Sequence, residues 1–432
     1  MKTHLLWLAL ILAAPASAEH WIATWGTSLT LYRAAGRGGP PPAPPKQPAA
    51  AAPAPAAAGR GPARRFGIPP AIPTVNNQTV RMIVRTSVGG RSVRIRLANA
   101  FGAATLRLGS AHIAIRDRDS AIGAGSDRPL TFSGNPSAIL YAGQVAISDP
   151  VSLTVAPLSD LAVSLYLPGD TGTPTSHTFG LRPTYISQAG DFTGAASIAD
   201  ATTTESYYWL AGVDVLAPDD AGTLVTFGDS ITDGDQSTPN GNAMWPAVLA
   251  ERLQANRSTR NIGVVNAGIS GNRVLGDGQS ALARVYRDVL AQPGVRWMTF
   301  LEGINDISGG TRATSNPPLT AADLIAAYKQ LIELAHLHGV KAIGCTITPW
   351  GGSSGFNETG EAVREAVNQW IRTSRAFDAV VDFDAATRDP KDPKRFRAEA
   401  DSPDLLHPGD GGYKLMAEAV DLAIFTARGA RR

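Results

Sequence analysis

The sequence predicts two domains of different class: an all-β sandwich of jelly-roll type, then a three-layer α/β domain on a five-stranded parallel sheet. Three observations predict this. At 432 residues the chain exceeds one ordinary domain. From Thr79 to about Val215, short apolar runs alternate with polar residues, with no helical stretch among them. Beyond Asp219-Asp220-Ala-Gly, short continuous apolar runs alternate with helical segments. The expected divisions are 1–18, a signal peptide; 19–218, the sandwich, carrying an insert at about 36–70; and 219–432, the α/β domain.

The first segment reads as an export signal. Lys2 precedes the apolar run Leu5 to Ala13, and Ala16-Ser17-Ala18 offers a small-residue cleavage site before Glu19. The run falls short of the ~20 apolar residues a membrane span needs. Cleavage after Ala18 into a periplasmic or extracellular space is expected, with no membrane span afterwards. Trp21 to Ser28 then reads as a strand. From about 36 to 70 the composition collapses to Pro, Ala, Gly and Arg, as in Pro41-Pro-Ala-Pro-Pro45 and Ala49 to Ala58. Side chains that bury so little predict a mobile, partly polyproline excursion from the first domain. Deleting about residues 40 to 65 is expected to spare both turnover and melting.

In the β region, Val80, Ile83 and Val84 lead into Val93, Ile95 and Leu97, which alternate with Arg94 and Arg96. This period of two puts apolar side chains on one face and arginines on the other. Similar runs recur at Leu106 to Leu108, Ala111 to Ile115, Val145 to Ile147, Val151 to Val155 and Leu161 to Leu167. Turns such as Gly89-Gly90, Gly134-Asn135-Pro136 and Pro168-Gly169-Asp170 separate them. Many short strands without helices imply a sandwich.

The second half supplies the buried strands Leu224 to Phe227, Gly263 to Asn266, Trp297 to Leu301, Ala342 to Ile347 and Ala379 to Phe383. Helices are expected over Ala243 to Gln254, Ser280 to Leu290, Ala321 to His338 and Glu358 to Ala376. Pro246 suits a first helical turn, where its missing N–H costs nothing. Such alternation means a parallel sheet covered on both faces, with chemistry at the carboxyl ends of its strands.

Charge and cysteine usage narrow the function. With 39 basic and 37 acidic residues the net charge is +2, and no concentrated basic face predicts nucleic-acid binding. The single cysteine, Cys345, lies in an apolar run and reads as a small core residue. Neither a Cys pair nor a close His-x-x-His set is present to hold zinc, and no cofactor is expected.

Chemistry-bearing clusters follow the predicted strands in order. Phe227-Gly-Asp-Ser-Ile-Thr-Asp-Gly234 places Ser230 on a Gly-flanked turn leading toward a helix, near backbone N–H donors. That is where a nucleophile can meet a carbonyl and stabilise an oxyanion. Asn266-Ala-Gly-Ile-Ser-Gly-Asn272 follows the second strand and Glu302-Gly-Ile-Asn-Asp306 the third; Asp404-Leu-Leu-His407-Pro408 precedes a terminal helix. Each alone could be a turn or a cap. Four in strand order make chance alignment a poor account. Asp229 and Asp233 flank the nucleophile; Asp229 and Asp306 read as loop-bonding carboxylates, His336 and His338 as caps at a helix end. His177 reaches the cleft only if the domains pack that way. Trp209, Trp297 and Trp370 read as core.

In these blocks, from about Thr223 to Ala427, the chain resembles the GDSL/SGNH hydrolases, whose domain is flavodoxin-like. Gly-Asp-Ser-Ile-Thr stands where the family often has Gly-Asp-Ser-Leu-Ser; the Gly, Gly-x-Asn-Asp and Asp-x-x-His blocks are intact. The resemblance implies that Ser230 attacks an ester carbonyl, that His407 carries the proton to the leaving alcohol, and that Asp404 orients His407. It further implies an oxyanion hole made by the Ser230 N–H, the Gly271 N–H and the Asn305 amide. Glycine at 271 lets backbone approach the oxyanion. Thr232 breaks the Gly-x-Ser-x-Gly pattern, and the Asp–His gap of three also departs from the standard α/β-hydrolase.

Trp21 to Ser28, Asn76 to Arg81 and Asn99-Ala-Phe-Gly102 add a resemblance to the XynE-like esterase subgroup, in which a β domain precedes the hydrolase domain. It implies short acyl esters, such as acetyl groups on plant polysaccharides, or related small esters. Two other readings stay open: a lipase or lysophospholipase of the same fold, and a carbohydrate-binding protein whose hydrolase domain only positions ligand. Since His407 must be neutral to act as a base, activity is expected to fall below about pH 6, near the ~6.5 reference pKa.

Overall fold

A computed structural model describes residues 19–31, 74–276, 279–312 and 314–426. The signal segment with its cleavage site and the Pro/Ala-rich insert lie outside the described residues.

The period-two pattern forms two large antiparallel sheets, with a three-stranded and a two-stranded one beside them. In the strand Gly90–Ala98, Val93, Ile95 and Leu97 are fully buried. Arg94 and Arg96 turn the other way and close on the buried Asp214 of the neighbouring strand Leu210–Leu216, at 3.1 and 2.9 Å. Trp21–Gly26 pairs the far side of Leu210–Leu216, and Val151–Val155 pairs the far side of Gly90–Ala98. The second sheet runs Thr202–Thr204, Thr184–Ala189, Gln78–Arg85, Asp160–Leu167, Ser110–Ile115 and Arg128–Pro129. Val80, Met82, Val163 and Leu165 of this sheet share one core with Val93, Ile95 and Val213 of the first. Burying each such side chain contributes about 1.5–3 kcal/mol. This is the expected sandwich.

The second half forms β1 (Gly222–Gly228), β2 (Ile262–Gly268), β3 (Val295–Leu301), β4 (Lys341–Cys345) and β5 (Ala379–Val381). They pair in parallel in the order β2-β1-β3-β4-β5, the flavodoxin-like arrangement. The helices are α1 (Ser230–Asp233), α2 (Trp245–Ala255), α3 (Ala281–Val285), α4 (Ile304–Gly310), α5 (Ala321–Leu337), α6 (Glu358–Thr373), α7 (Phe383–Thr387), α8 (Asp410–Ala419) and the short α9 (Ala423–Thr426). They cover the sheet in two groups, α2 with α7 and α8, and α3 to α6. Pro246 opens α2 as expected, and Thr320 with Asp323 closes a capping box on α5.

The helix expected from Ala243 starts at Trp245 and the one expected to reach Ala376 ends at Thr373; three further departures each have a local reason. β4 stops at Cys345, and the Ile347 N–H turns to the Asn368 side chain. β5 stops at Val381 because Asp382 caps α7, accepting from the Ala385 N–H. The helix expected over Ser280 to Leu290 widens into a π-helix at Tyr286–Leu290, which carries Asp288 toward Arg284. No described helix is long and apolar enough to cross a membrane.

The two halves pack together at the edge strand β2. Val264 donates its N–H to Ser87 Oγ at 2.8 Å, and Ala23 donates its own to Thr223 Oγ1 at 3.0 Å.

Candidate active site

β1 delivers the serine. It ends at Gly228, and Asp229 then caps α1 by accepting from the Ile231 N–H at 3.0 Å. Ser230 is therefore the first helical residue, at the carboxyl end of the sheet where strand order reverses. Its N–H belongs to a helical first turn, which leaves donors without intrahelical partners. α1 lies directly on the end of β2: a Cβ at Gly268 would come within 2.3 Å of the Asp233 backbone nitrogen.

His407 meets Ser230 from the far end of the chain. Its Nε2 is 2.8 Å from Ser230 Oγ and its Nδ1 2.7 Å from Asp404 Oδ2. Both Ser230 and His407 are buried. Asp404 cannot swing freely, because its other oxygen accepts from the Leu406 and His407 N–H groups at 3.0 and 2.9 Å and from Ser402 Oγ at 3.0 Å. Burial pushes the Asp404 carboxyl up, but His407 and these N–H bonds outweigh it and hold it well below the usual carboxylate range. For His407, burial favours the neutral ring; the Asp404 hydrogen bond and the charges of Asp235, Asp404 and Asp229 outweigh burial and raise its pKa. Asp235, unnoticed in the sequence, stands 3.8 Å from Nε2, on the serine side of the ring.

Of the expected oxyanion donors, Asn305 rides the first turn of α4 and donates through Nδ2 to Asn272 O at 2.9 Å, which ties it to the loop carrying Gly271. The Ile269 N–H ties the same loop to Gly228 O, beside Asp229 and Ser230, at 3.1 Å. Gly271 has φ +76°, a left-handed conformation that L side chains rarely adopt, and a Cβ there would enter open space. Backbone conformation thus requires this glycine, besides the open approach expected of it. Asp306 braces the loop as expected, accepting from the Val274 and Leu275 N–H groups at 2.9 Å each; burial lifts its pKa to about 6. Burial likewise lifts Asp229 to about 7.

Two residues behind these loops carry weight: Arg284, which sequence reading missed, and His177, which it admitted only if the domains packed that way. Arg284, fully buried, donates to Gly228 O, Ala267 O and Asn272 Oδ1, and so joins the ends of β1 and β2. It also meets Asp288, Glu302 and Ser28 Oγ. His177 does reach across the domains: its Nε2 is 2.9 Å from Asp233 Oδ1. A buried cation and a buried imidazole leave no local sequence pattern.

The remaining expectations are local. His338 meets the Leu334 carbonyl as a cap, but His336 pairs with Asp378 at 2.8 Å instead of capping its helix, because its ring points toward the loop before β5. Trp209 and Trp297 are core; Trp370 is half-buried against Tyr328 and Phe377. Cys345 is buried, which pushes its thiol pKa up.

A 2-1-3-4-5 parallel sheet bearing a serine, an imidazole and a carboxylate at its carboxyl end defines a three-layer α/β hydrolase domain. Residues 224–420 match the family model of the GDSL-like lipase/acylhydrolases, so this domain is a GDSL-like acylhydrolase domain and the protein a carboxylic ester hydrolase. Among solved structures the chain is similar to the acetylxylan esterase Axe2 from Geobacillus stearothermophilus (24% identity over 49% of this chain and 98% of that one, TM-score 0.37). It is also similar to a GDSL-like lipase from Bacteroides thetaiotaomicron (19% identity, 48% and 89% coverage, TM-score 0.37). No curated protein matches the chain.

Proposed function

We propose that the protein is an exported serine esterase that cleaves short acyl esters, such as acetyl groups on carbohydrates or small aryl esters, through an acyl-enzyme on Ser230. The observation that carries this reading is the hydrogen-bonded series Ser230 Oγ, His407 and Asp404, at 2.8 and 2.7 Å. His407 Nε2 takes the serine proton as Oγ attacks the carbonyl carbon. Asp404 stabilises the imidazolium that forms, and the Ser230 N–H, Gly271 N–H and Asn305 amide receive the oxyanion. The leaving alcohol collects the proton from His407. Water then repeats the sequence on the acyl-enzyme and releases the acid.

The resemblance of Trp21 to Ser28, Asn76 to Arg81 and Asn99 to Gly102 to the XynE-like esterases supports short acyl chains. The apolar run before Ala18 supports export. Purified enzyme is expected to turn over p-nitrophenyl acetate, and Ser230→Ala to lose at least about 10⁴-fold in kcat. Undiminished turnover by Ser230→Ala would overturn the assignment. Comparison of acetate, octanoate and palmitate esters tests chain length, and a preference for palmitate would favour the lipase reading.

A further inference from the structure

The β domain contributes two polar contacts that converge on the loop carrying Gly271. His177, on the strand Thr175–His177, is buried to 4% exposure. Its Nδ1 lies 2.9 Å from the Ser28 carbonyl; its Nε2 lies 2.9 Å from Asp233 Oδ1 and 3.1 Å from the Phe179 carbonyl. The Ser28 and Phe179 carbonyls can only accept, one at each ring nitrogen, so both nitrogens donate and the ring sits as an imidazolium. A neutral ring would set a nitrogen lone pair against an oxygen. In agreement, burial, the largest influence, opposes the charge, but Asp233 and the two carbonyls outweigh it and raise the His177 pKa.

Asp233 passes this contact on. While Oδ1 accepts from His177, Oδ2 accepts from both the backbone N–H and the hydroxyl of Ser270, at 2.9 and 3.0 Å. Ser270 is the residue before Gly271. The second contact runs through Ser28, whose carbonyl meets His177 and whose hydroxyl accepts from Arg284; Arg284 in turn holds Asn272, the residue after Gly271. Gly271 is thus pinned on both sides by groups that end in the β domain, while its own left-handed backbone faces open space.

We propose that His177 is a positioning residue for ester hydrolysis: as a buried cation of the β domain it fixes Asp233, and through Ser270 it sets the Gly271 N–H toward the oxyanion. The sandwich is thereby part of the catalytic apparatus of the second domain. His177 itself touches neither Ser230 nor His407 by any hydrogen bond described. This inference rests on the proposed serine mechanism.

The test uses the full chain with p-nitrophenyl acetate, each variant's active sites being counted by a fluorophosphonate probe that labels the serine. Per labelled site, His177→Gln and Asp233→Asn are expected to lose about 10- to 100-fold in kcat, the range found when groups supporting a site are removed, with KM within about twofold of the parent. Phenylboronic acid, whose tetrahedral adduct presents an oxygen to the same donors, should weaken by the same factor. A scaffold role alone would lower the number of labelled sites and leave kcat per site and boronate affinity in place; that result overturns the proposal. If the His177 variants fail to fold, Ser270→Ala, which keeps the ion pair and removes one link, carries the test through a smaller fall in kcat and in boronate affinity; no change in either overturns the proposal. Ser230→Ala runs in parallel. Activity that survives it refutes the serine mechanism, whereas Ser230-dependent activity indifferent to His177, Asp233 and Ser270 refutes only the positioning role.

Discussion

In the proposed mechanism His407 meets two opposed demands. As the base it must be neutral to accept the serine proton, yet its surroundings favour the imidazolium. Asp404 bonds its Nδ1, and Asp235 adds a second carboxylate 3.8 Å from Nε2. The structure therefore amends the pH expectation drawn from the ordinary histidine value. With the pKa raised, the neutral base is lost at a higher pH, so kcat/KM should fall with an inflection above 6.5 and not near pH 6. Asp235→Asn removes a negative charge that stabilises the imidazolium; the inflection should then move to lower pH. A pH–rate profile of kcat/KM for both proteins checks this, and an inflection that stays in place would exclude Asp235 from the tuning. Asn305 poses a simpler question. If its amide serves the oxyanion, Asn305→Ala should lose about 10²- to 10³-fold in kcat while KM holds. A rise in KM alone would point to ground-state binding instead.

At the scale of elements, the site is a set of loop ends gathered around one buried cation. Arg284 leaves α3 and reaches carbonyls at the ends of β1 and β2, with Asn272 and Glu302 beyond them. Its plane also lies over Phe227, 4.1 Å from the ring centre. Glu302 beside it is pushed well above the ordinary carboxylate range by burial, which Arg284 only partly offsets. Arg284→Met should therefore destabilise by about 3–5 kcal/mol, since it removes the buried donor shared by Glu302, Asn272 Oδ1 and the Ala267 carbonyl, while Asp288 keeps Arg287. Urea unfolding measures this; a loss below about 1 kcal/mol would mean the loops hold themselves.

The serine, glycine, asparagine and histidine blocks were legible in the sequence because each obeys short-range rules: a cap, a tight turn, an i to i+3 pair. The five parallel strands were legible because burial on both faces leaves continuous apolar runs. Arg284 and Asp235 were not, and His177 was legible only as a residue that would reach the cleft if the domains packed that way. What matters about them is which distant group they meet, and polar residues in helices, turns and strands look alike until the fold pairs them. The widening of the helix at Tyr286–Leu290 was hidden for a related reason, since its 3.6-residue apolar spacing reads as an ordinary helix.

At the scale of the whole molecule, the contact between halves follows from the sheet order. β2 is an edge strand of the parallel sheet, and an exposed edge presents unpaired backbone groups that invite aggregation. The β domain covers it. Trp21–Gly26 packs against β2, Ser87 accepts the Val264 N–H, and the Ala23 carbonyl lies so near Gly263 that a Cβ there would be 2.2 Å from it. Only glycine tolerates that approach, so Gly263→Val tests whether the halves form one cooperative unit. The valine must push Ala23 away, an overpacking cost of about 1–3 kcal/mol, and with it the segment leading to Ser28 and His177. Calorimetry should show the parent melting in a single transition and Gly263→Val at a lower temperature or in two separated steps. Its kcat should fall more than its KM rises, because the oxyanion loop loses its brace while the substrate cleft does not. An unshifted melt with parental kcat would show that the sandwich merely abuts the hydrolase domain.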